Sequence, residues 1–134
     1  MDNAQTGSRP LGPIPRRILL VDDDPTMRQV VSMSLAPDDH HLDFAKDAET
    51  ALDLFGANSY DLAILDFSLP GLDGLDLARA IRACVRQQPI LLVTGNLGMI
   101  TRSNEALSNA NSVLEKPFSV AALRAAVAAL FPPA

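Results

Sequence analysis

Short apolar runs recur along the chain from residue 16 onward, and each is followed by a segment with apolar residues at helical spacing. Continuously apolar runs of this length are typical of strands that are covered on both faces of a sheet. The pattern predicts five strands, at 18–21, 41–45, 62–65, 90–93 and 112–114. The second of these is less apolar than the others.

The segments between the strands carry apolar stripes with the period of an α-helix. Asp24 and Pro25 predict the start of the first helix, because Asp caps a helix and Pro fits its first turn. Gly56 is predicted to end the second helix. The four clear stripes are Met27, Val30, Val31 and Leu35; Ala48, Ala51, Leu52 and Phe55; Leu77, Ala78, Ile81 and Val85; and Val120, Leu123, Val127, Leu130 and Phe131. A fifth helix is predicted within 96–110, although Gly98 and several Asn and Ser residues are poor helix formers.

Buried strands that alternate with helices predict an α/β fold, in which a parallel sheet lies between two helical layers. The chain of 134 residues is long enough for one domain of ordinary size. We expect that domain at 16–131, with a flexible lead-in or linker at 1–15 and a short tail at 132–134. No output domain is expected within this chain.

The composition narrows the range of partners. Eleven basic residues against sixteen acidic ones give a net charge of −5, which argues against binding to a nucleic acid backbone. No apolar run approaches the length of about 20 residues that a membrane-spanning helix needs. The predicted setting is therefore cytoplasmic, with neither nucleic acid nor membrane as a partner.

Cysteine and histidine indicate no site of their own. Cys84 is the single cysteine, so the sequence predicts no disulfide and no zinc cluster. It is expected to be a small buried hydrophobic residue on the third helix. His40 and His41 are adjacent, and we interpret them as part of a polar loop rather than as a metal or phosphate-donor pair.

Residues with carboxylate, hydroxyl or ammonium side chains follow four of the predicted strands. Asp22, Asp23 and Asp24 follow the first strand, and Asp66 follows the third. Thr94 follows the fourth, and Lys116 follows the fifth. Ligands of an open parallel sheet bind at the carboxyl ends of its strands, so these side chains are expected to meet at one edge.

Such a cluster has a defined chemistry. Carboxylates held close together repel one another, which raises the proton affinity of at least one of them. A hard divalent cation relieves the repulsion, and a shallow all-oxygen site suits Mg²⁺. With an ammonium and a hydroxyl beside it, the pocket would fit the oxygens of a phosphoryl group. One carboxylate could itself be the nucleophile and form an acyl phosphate.

Four segments in this order resemble the motifs of response-regulator receiver domains: VDDDP at 21–25, LDFSLPGLDG at 65–74, VTG at 93–95 and KPF at 116–118. The resemblance covers about residues 16–131. It implies a flavodoxin-like, doubly wound sheet of five parallel strands in the order 2-1-3-4-5 with five helices. It also implies two-component signalling, with a histidine kinase or a histidine phosphotransfer protein as partner.

The resemblance implies a role for each acidic residue of the site. Asp66 would be the phospho-acceptor. Asp23 and Asp66 would bind Mg²⁺ directly, Asp22 would assist, and the backbone carbonyl of Ser68 would complete the protein ligands. The chain would then be a signalling phospho-acceptor and not an enzyme, apart from its own phosphorylation and dephosphorylation.

The remaining motif residues would bind and sense the phosphoryl group. Lys116 would pair with the carboxylate and then with the phosphoryl oxygens, aimed by a cis bond to Pro117. Thr94 would be the switch hydroxyl, assisted by the Gly95 amide. Val113 departs from the family pattern, because a Tyr or Phe is usual at this switch position.

Several alternatives stay open at this point. A Mg²⁺-dependent phosphatase with an Asp nucleophile shares parts of the site, but it usually carries Asp-x-Asp on the nucleophile strand, where this chain has Ser68. A degenerate receiver that acts only as a protein-binding module is the other alternative. The intact set of site residues opposes it, and the missing aromatic residue at Val113 keeps it open. The downstream partner is not indicated, and a homodimer through the fourth and fifth predicted helices is a further option.

Overall fold

The computed structural model describes residues 16–69, 74–95 and 110–131. Its sheet has five strands, β1 to β5 in chain order, all paired in parallel. Their bounds are Arg17–Val21, His41–Ala45, Leu62–Asp66, Ile90–Thr94 and Ser112–Glu115. The strand order is β2-β1-β3-β4-β5, which confirms the predicted parallel sheet and its order.

Four α-helices, α1 to α4, lie within the described ranges, at Pro25–Leu35, Ala48–Ala57, Gly74–Cys84 and Val120–Leu130. The side chain of Asp24 accepts the Thr26 N–H and caps α1, as predicted. The expected end of α2 at Gly56 is wrong by one residue, since the helix continues to Ala57. The helix predicted within 96–110 falls almost wholly outside the described residues.

The core consists of two apolar clusters on opposite faces of the sheet. Alternate residues of each strand point to opposite faces, so Leu19 and Ile18 of β1 belong to different clusters. Helices α2 and α3 cover the first face, and α1 and α4 cover the second. Because every residue of β3 and β4 is buried, these two interior strands are fixed by packing on both sides.

Several positions of the predicted helical stripes are exposed instead of buried. Cys84 is exposed, so its expected place in the core is wrong. It ends α3, and Val85 beyond it is also exposed, at 42%, because both lie past the last buried turn around Ile81. Val120 is exposed for the same reason at the opposite end of α4. In α1, Val31 takes the buried position and Val30 contacts solvent.

The expectation of a polar loop at His40 and His41 holds only in part, because His40 precedes β2 without regular secondary structure but its side chain is buried. His41 begins β2, and the side chain of His40 is only 2% exposed. The Nδ1 atom of His40 accepts the Arg16 N–H at 2.9 Å, and its ring lies 5.1 Å from the ring of Phe131.

Among the residues described here, no helix is long and apolar enough to cross a membrane.

Candidate phosphoryl and metal site

Backbone hydrogen bonds continue the sheet past the strand ends and position the polar residues that follow. The Asp22 N–H donates to the Ala45 carbonyl at 3.0 Å, just beyond β1. The Phe67 N–H donates to the Val93 carbonyl at 2.8 Å, and the Lys116 N–H donates to the Thr94 carbonyl at 2.7 Å. Adjacent strand ends are therefore tied together at the same edge of the sheet.

Three carboxyl groups meet at this edge. One carboxylate oxygen from each of Asp22, Asp23 and Asp66 lies within 4.8 Å of the other two. Asp22 is 2% exposed and Asp66 is 7% exposed, whereas Asp23 faces solvent. Asp23 is therefore the solvent-exposed member of the cluster.

The electrostatics of the cluster are uneven. Burial raises the pKa of the Asp22 carboxyl above its ordinary value, and the charge of Asp66 adds to this effect. The Asp24 N–H, which donates to Asp22 Oδ1 at 2.9 Å, and the charge of Lys116 both act in the opposite direction. The predicted increase in proton affinity is confirmed for Asp22, although burial contributes more to it than repulsion between the carboxylates.

Lys116 places one positive charge between the two buried carboxylates. Its Nζ atom lies 3.7 Å from Asp22 Oδ2 and 3.6 Å from Asp66 Oδ1, and its side chain is 26% exposed. These distances are ion pairs rather than hydrogen bonds, so the ammonium keeps donors for other oxygens. The bond between Lys116 and Pro117 is cis, as expected.

The turn after β3 fixes the Asp66 side chain from its own backbone. The Ser68 N–H donates to Asp66 Oδ1 at 3.2 Å. Gly74 is the first residue of α3, and its N–H donates to the Phe67 carbonyl at 2.7 Å. Gly74 is the last residue of the motif at 65–74, and the sequence alone indicates no role for it.

Of the other predicted site residues, Thr94 and Gly95 lie at the carboxyl end of β4, whereas Val113 lies within β5. Thr94 ends β4 and is 2% exposed. Gly95 follows it and is exposed, with open space where a Cβ would be. Val113 pairs with Leu92 in the sheet and packs, partly buried, against the cluster below α2 and α3. It lies inside the fold rather than at the open edge.

The donor set fits a magnesium ion. Mg²⁺ binds oxygens at about 2.0–2.1 Å in octahedral geometry, which places neighbouring and opposite ligands about 3 to 4 Å apart. Carboxylate oxygens within 4.8 Å of one another need only small side-chain movements to reach that spacing. Among the described residues, Asp22, Asp23 and Asp66 form the one group of three or more side chains that could bind a metal ion together. The same oxygens would otherwise repel one another.

Comparison with known proteins agrees with the fold. Residues 18–128 match the family model described as the response regulator receiver domain. The chain therefore belongs to the response regulator receiver domain family, whose members act in two-component signalling.

Relatives and solved structures support this assignment. Response regulator MprA of Mycobacterium sp. (strain KMS) is 36% identical over 117 residues, which are 87% of this chain and 51% of that protein. The chain thus spans about half the length of the curated relatives it matches. Response regulator protein TrrA of Thermotoga maritima, solved in complex with Mg(2+)-BeF, is 32% identical with a TM-score of 0.79, covering 87% of this chain and 99% of TrrA. Chemotaxis protein CheY4 of Vibrio cholerae is 26% identical with a TM-score of 0.81, covering 88% and 100%.

Proposed function

We propose that this chain accepts a phosphoryl group on Asp66 in a Mg²⁺-dependent reaction and changes conformation to control a partner protein. The observation that carries the proposal is the setting of Asp66. Its carboxylate lies within 4.8 Å of two other carboxylates and 3.6 Å from the Lys116 ammonium. The Mg(2+)-BeF complex of the similar protein TrrA supports the same chemistry here.

The donor would be a phosphohistidine of a histidine kinase or of a histidine phosphotransfer protein. One Asp66 carboxylate oxygen attacks phosphorus, the bond from phosphorus to the imidazole nitrogen breaks, and the imidazole keeps the electron pair. The product is an acyl phosphate on Asp66. The Ser68 N–H already holds Oδ1 at 3.2 Å, which leaves the second oxygen of Asp66 available for the attack.

The acidic residues would hold the metal. Asp22, Asp23, Asp66 and the backbone carbonyl of Ser68 are the proposed ligands of Mg²⁺, which when bound supplies positive charge to the phosphoryl oxygens. Asp22 is 2% exposed and Asp23 faces solvent, so one ligand is fixed by packing while the other lies at the entrance.

The basic and hydroxyl residues would respond to the phosphoryl group. The Lys116 ammonium lies 3.7 Å from Asp22 and 3.6 Å from Asp66, which is longer than a hydrogen bond, so it would be able to donate to a phosphoryl oxygen instead. Thr94 is the proposed switch hydroxyl, and the Gly95 amide is the proposed second donor. With Val113 in place of an aromatic residue, the switch would act without a ring that changes rotamer.

The domain would extend over 16–131, with a lead-in at 1–15 and a tail at 132–134. A cytoplasmic location, the lack of nucleic acid and membrane partners and a homodimer through the last two predicted helices stay predictions. The chain is proposed to act as a signalling domain and not as an enzyme on a separate substrate.

Phosphorylation by acetyl phosphate with Mg²⁺, followed by intact mass spectrometry, tests the proposal. Wild-type protein should gain one phosphoryl group, and Asp66→Asn should gain none. Asp53→Asn is the matched control, because Asp53 is an exposed residue of α2 outside the site. Equal labelling of Asp66→Asn and wild type would show that another residue is the acceptor.

A further inference from the structure

The first residue of α3 lies in close contact with the end of β3. Gly74 is buried, and its N–H donates to the Phe67 carbonyl at 2.7 Å. A Cβ built on Gly74 would lie 2.6 Å from the Asp66 carbonyl oxygen and 2.8 Å from the Phe67 Cα. It would also lie 3.0 Å from Leu92 Cδ1.

We propose that Gly74 is a positioning residue of the phosphoryl site, which lets α3 pack directly on the Asp66–Phe67 peptide and so holds the Asp66 carboxylate in place. The inference rests on the proposed function of Asp66. Real Cβ atoms essentially never come within 3.0 Å of a heavy atom outside their own residue and its two chain neighbours, and here one such contact is 0.4 Å shorter than that. Any side chain at Gly74 therefore requires a displacement.

The displacement cannot be absorbed by a flexible side chain alone. Two of the three neighbours are backbone atoms, and only Leu92 contributes a side-chain atom. On one side, the Phe67 N–H bond to the Val93 carbonyl at 2.8 Å holds the peptide to β4. On the other side, α3 is held by Leu77, Ala78 and Ile81, each 0% exposed.

Either movement reaches the site. If the peptide moves, the Asp66 carboxylate and the Ser68 N–H that binds it move too. If α3 moves, the 2.7 Å hydrogen bond from the Gly74 N–H to the Phe67 carbonyl lengthens, and the residue directly after Asp66 loses this contact. Reactive groups must be held within about 0.5 Å of their productive geometry, so a shift of a few tenths of an ångström is enough to matter.

Gly74→Ala is the variant that tests the proposal, and Gly56→Ala is its matched control. Gly56 lies within α2, and a Cβ there meets nothing within 4 Å. Three measurements are made on both variants and on wild type: Mg²⁺ affinity by calorimetry, the rate of labelling by acetyl phosphate, and the amide resonance of Ser68. The urea midpoint of each protein reports its stability separately.

For Gly74→Ala we expect Mg²⁺ affinity to fall several-fold and the labelling rate to fall by about tenfold to a hundredfold. The Ser68 amide resonance should shift, because its acceptor Asp66 Oδ1 has moved. Gly56→Ala should match wild type in all three measurements. The three changes should be present under conditions where the urea curve shows that Gly74→Ala is fully folded. A loss of stability alone would not change the affinity, the labelling rate or the resonance of a fully folded protein.

Folded Gly74→Ala with the affinity, labelling rate and Ser68 resonance of wild type would overturn the inference. If Gly74→Ala does not fold in buffer, labelling is compared in trimethylamine N-oxide, which favours the compact state. A wild-type rate there would overturn the inference, and a reduced rate would support it. Wild-type protein that neither binds Mg²⁺ nor is labelled would instead refute the proposed function, and this inference with it.

Discussion

Replacing Asp22 by Asn should stabilise the fold in the absence of Mg²⁺ while removing most of the stabilisation that Mg²⁺ provides. The Asp22 carboxylate is buried among two like charges, those of Asp23 and Asp66, and one opposite charge, that of Lys116. An Asn side chain keeps an oxygen that can accept the Asp24 N–H, so the 2.9 Å hydrogen bond at the start of α1 can persist. The substitution therefore changes charge more than it changes shape.

The magnitude follows from the distances. Two unit charges about 4 Å apart interact by about 4 kcal/mol at an effective dielectric constant of about 20. The attraction of Lys116 at 3.7 Å offsets one of the two repulsions, which leaves one repulsion and the lost hydration of Asp22 uncompensated. Water screens the exposed Asp23 and the partly exposed Lys116, so we expect Asp22→Asn to raise the free energy of unfolding by about 1 to 2 kcal/mol.

Urea unfolding followed by circular dichroism measures this change. Without Mg²⁺, the midpoint of Asp22→Asn should lie about 0.5 to 1.5 M above that of wild type. Wild type should gain about 2.7 kcal/mol when Mg²⁺ is a hundredfold above its dissociation constant, whereas the variant should gain much less. Asp53→Asn removes the same charge from an exposed position and should shift neither value by more than about 0.5 kcal/mol. A less stable Asp22→Asn without Mg²⁺ would refute the charge argument.

The other predictions concern separate parts of the molecule. The Tyr60 hydroxyl donates to Asp43 Oδ2 at 2.6 Å and is the largest cause of a lowered Asp43 pKa. The Asp43 carboxylate therefore stabilises the fold above its ordinary pKa of 3.8, and this stabilisation is lost as the pH falls through its lower folded pKa. Tyr60→Phe should make the free energy of unfolding depend less steeply on pH below 3.8. It should also lower the free energy of unfolding by about 1 to 2 kcal/mol at neutral pH. Gly56→Ala should raise the free energy of unfolding by about 0.5 to 1 kcal/mol, measured in urea, since the position is helical and open. Lys116→Ala should leave Mg²⁺ binding intact by calorimetry but reduce the change in amide exchange that phosphorylation causes; loss of Mg²⁺ binding would contradict its assigned role.

The sequence predicts the sheet well because its strands are apolar on both faces. A run such as residues 62–65 has no solvated face, which excludes an exposed strand and favours the centre of a parallel sheet. The same reasoning places Asp22 and Asp66 together, because the carboxyl ends of parallel strands share an edge. The observed register, in which Val21 pairs with Leu65, brings these two aspartates level with each other.

Features that depend on how far an element extends could not be predicted in this way. Helical periodicity assigns Cys84 and Val85 to the buried face of α3, but it does not tell where the sheet below them ends. His40 has the opposite error, since a polar type concealed a buried ring that contacts Phe131 from the far end of the chain. Gly74 is similar, because its role depends on a contact distance to the Asp66 backbone rather than on any pattern of residue types.

Asp22 separates what a residue contributes to the fold from what it contributes to the site. The sequence predicts that three carboxylates and one ammonium meet at one edge of the sheet. The structure adds that Asp22 is almost fully buried and that its pKa is raised. A buried charge with surplus repulsion weakens the fold, yet it is a favourable ligand for a divalent cation. Wild type should therefore be less stable than Asp22→Asn without Mg²⁺ and more stable at high Mg²⁺, so that their urea midpoints cross as Mg²⁺ rises. Midpoints that stay parallel would mean that the cluster is structural and binds no metal through Asp22.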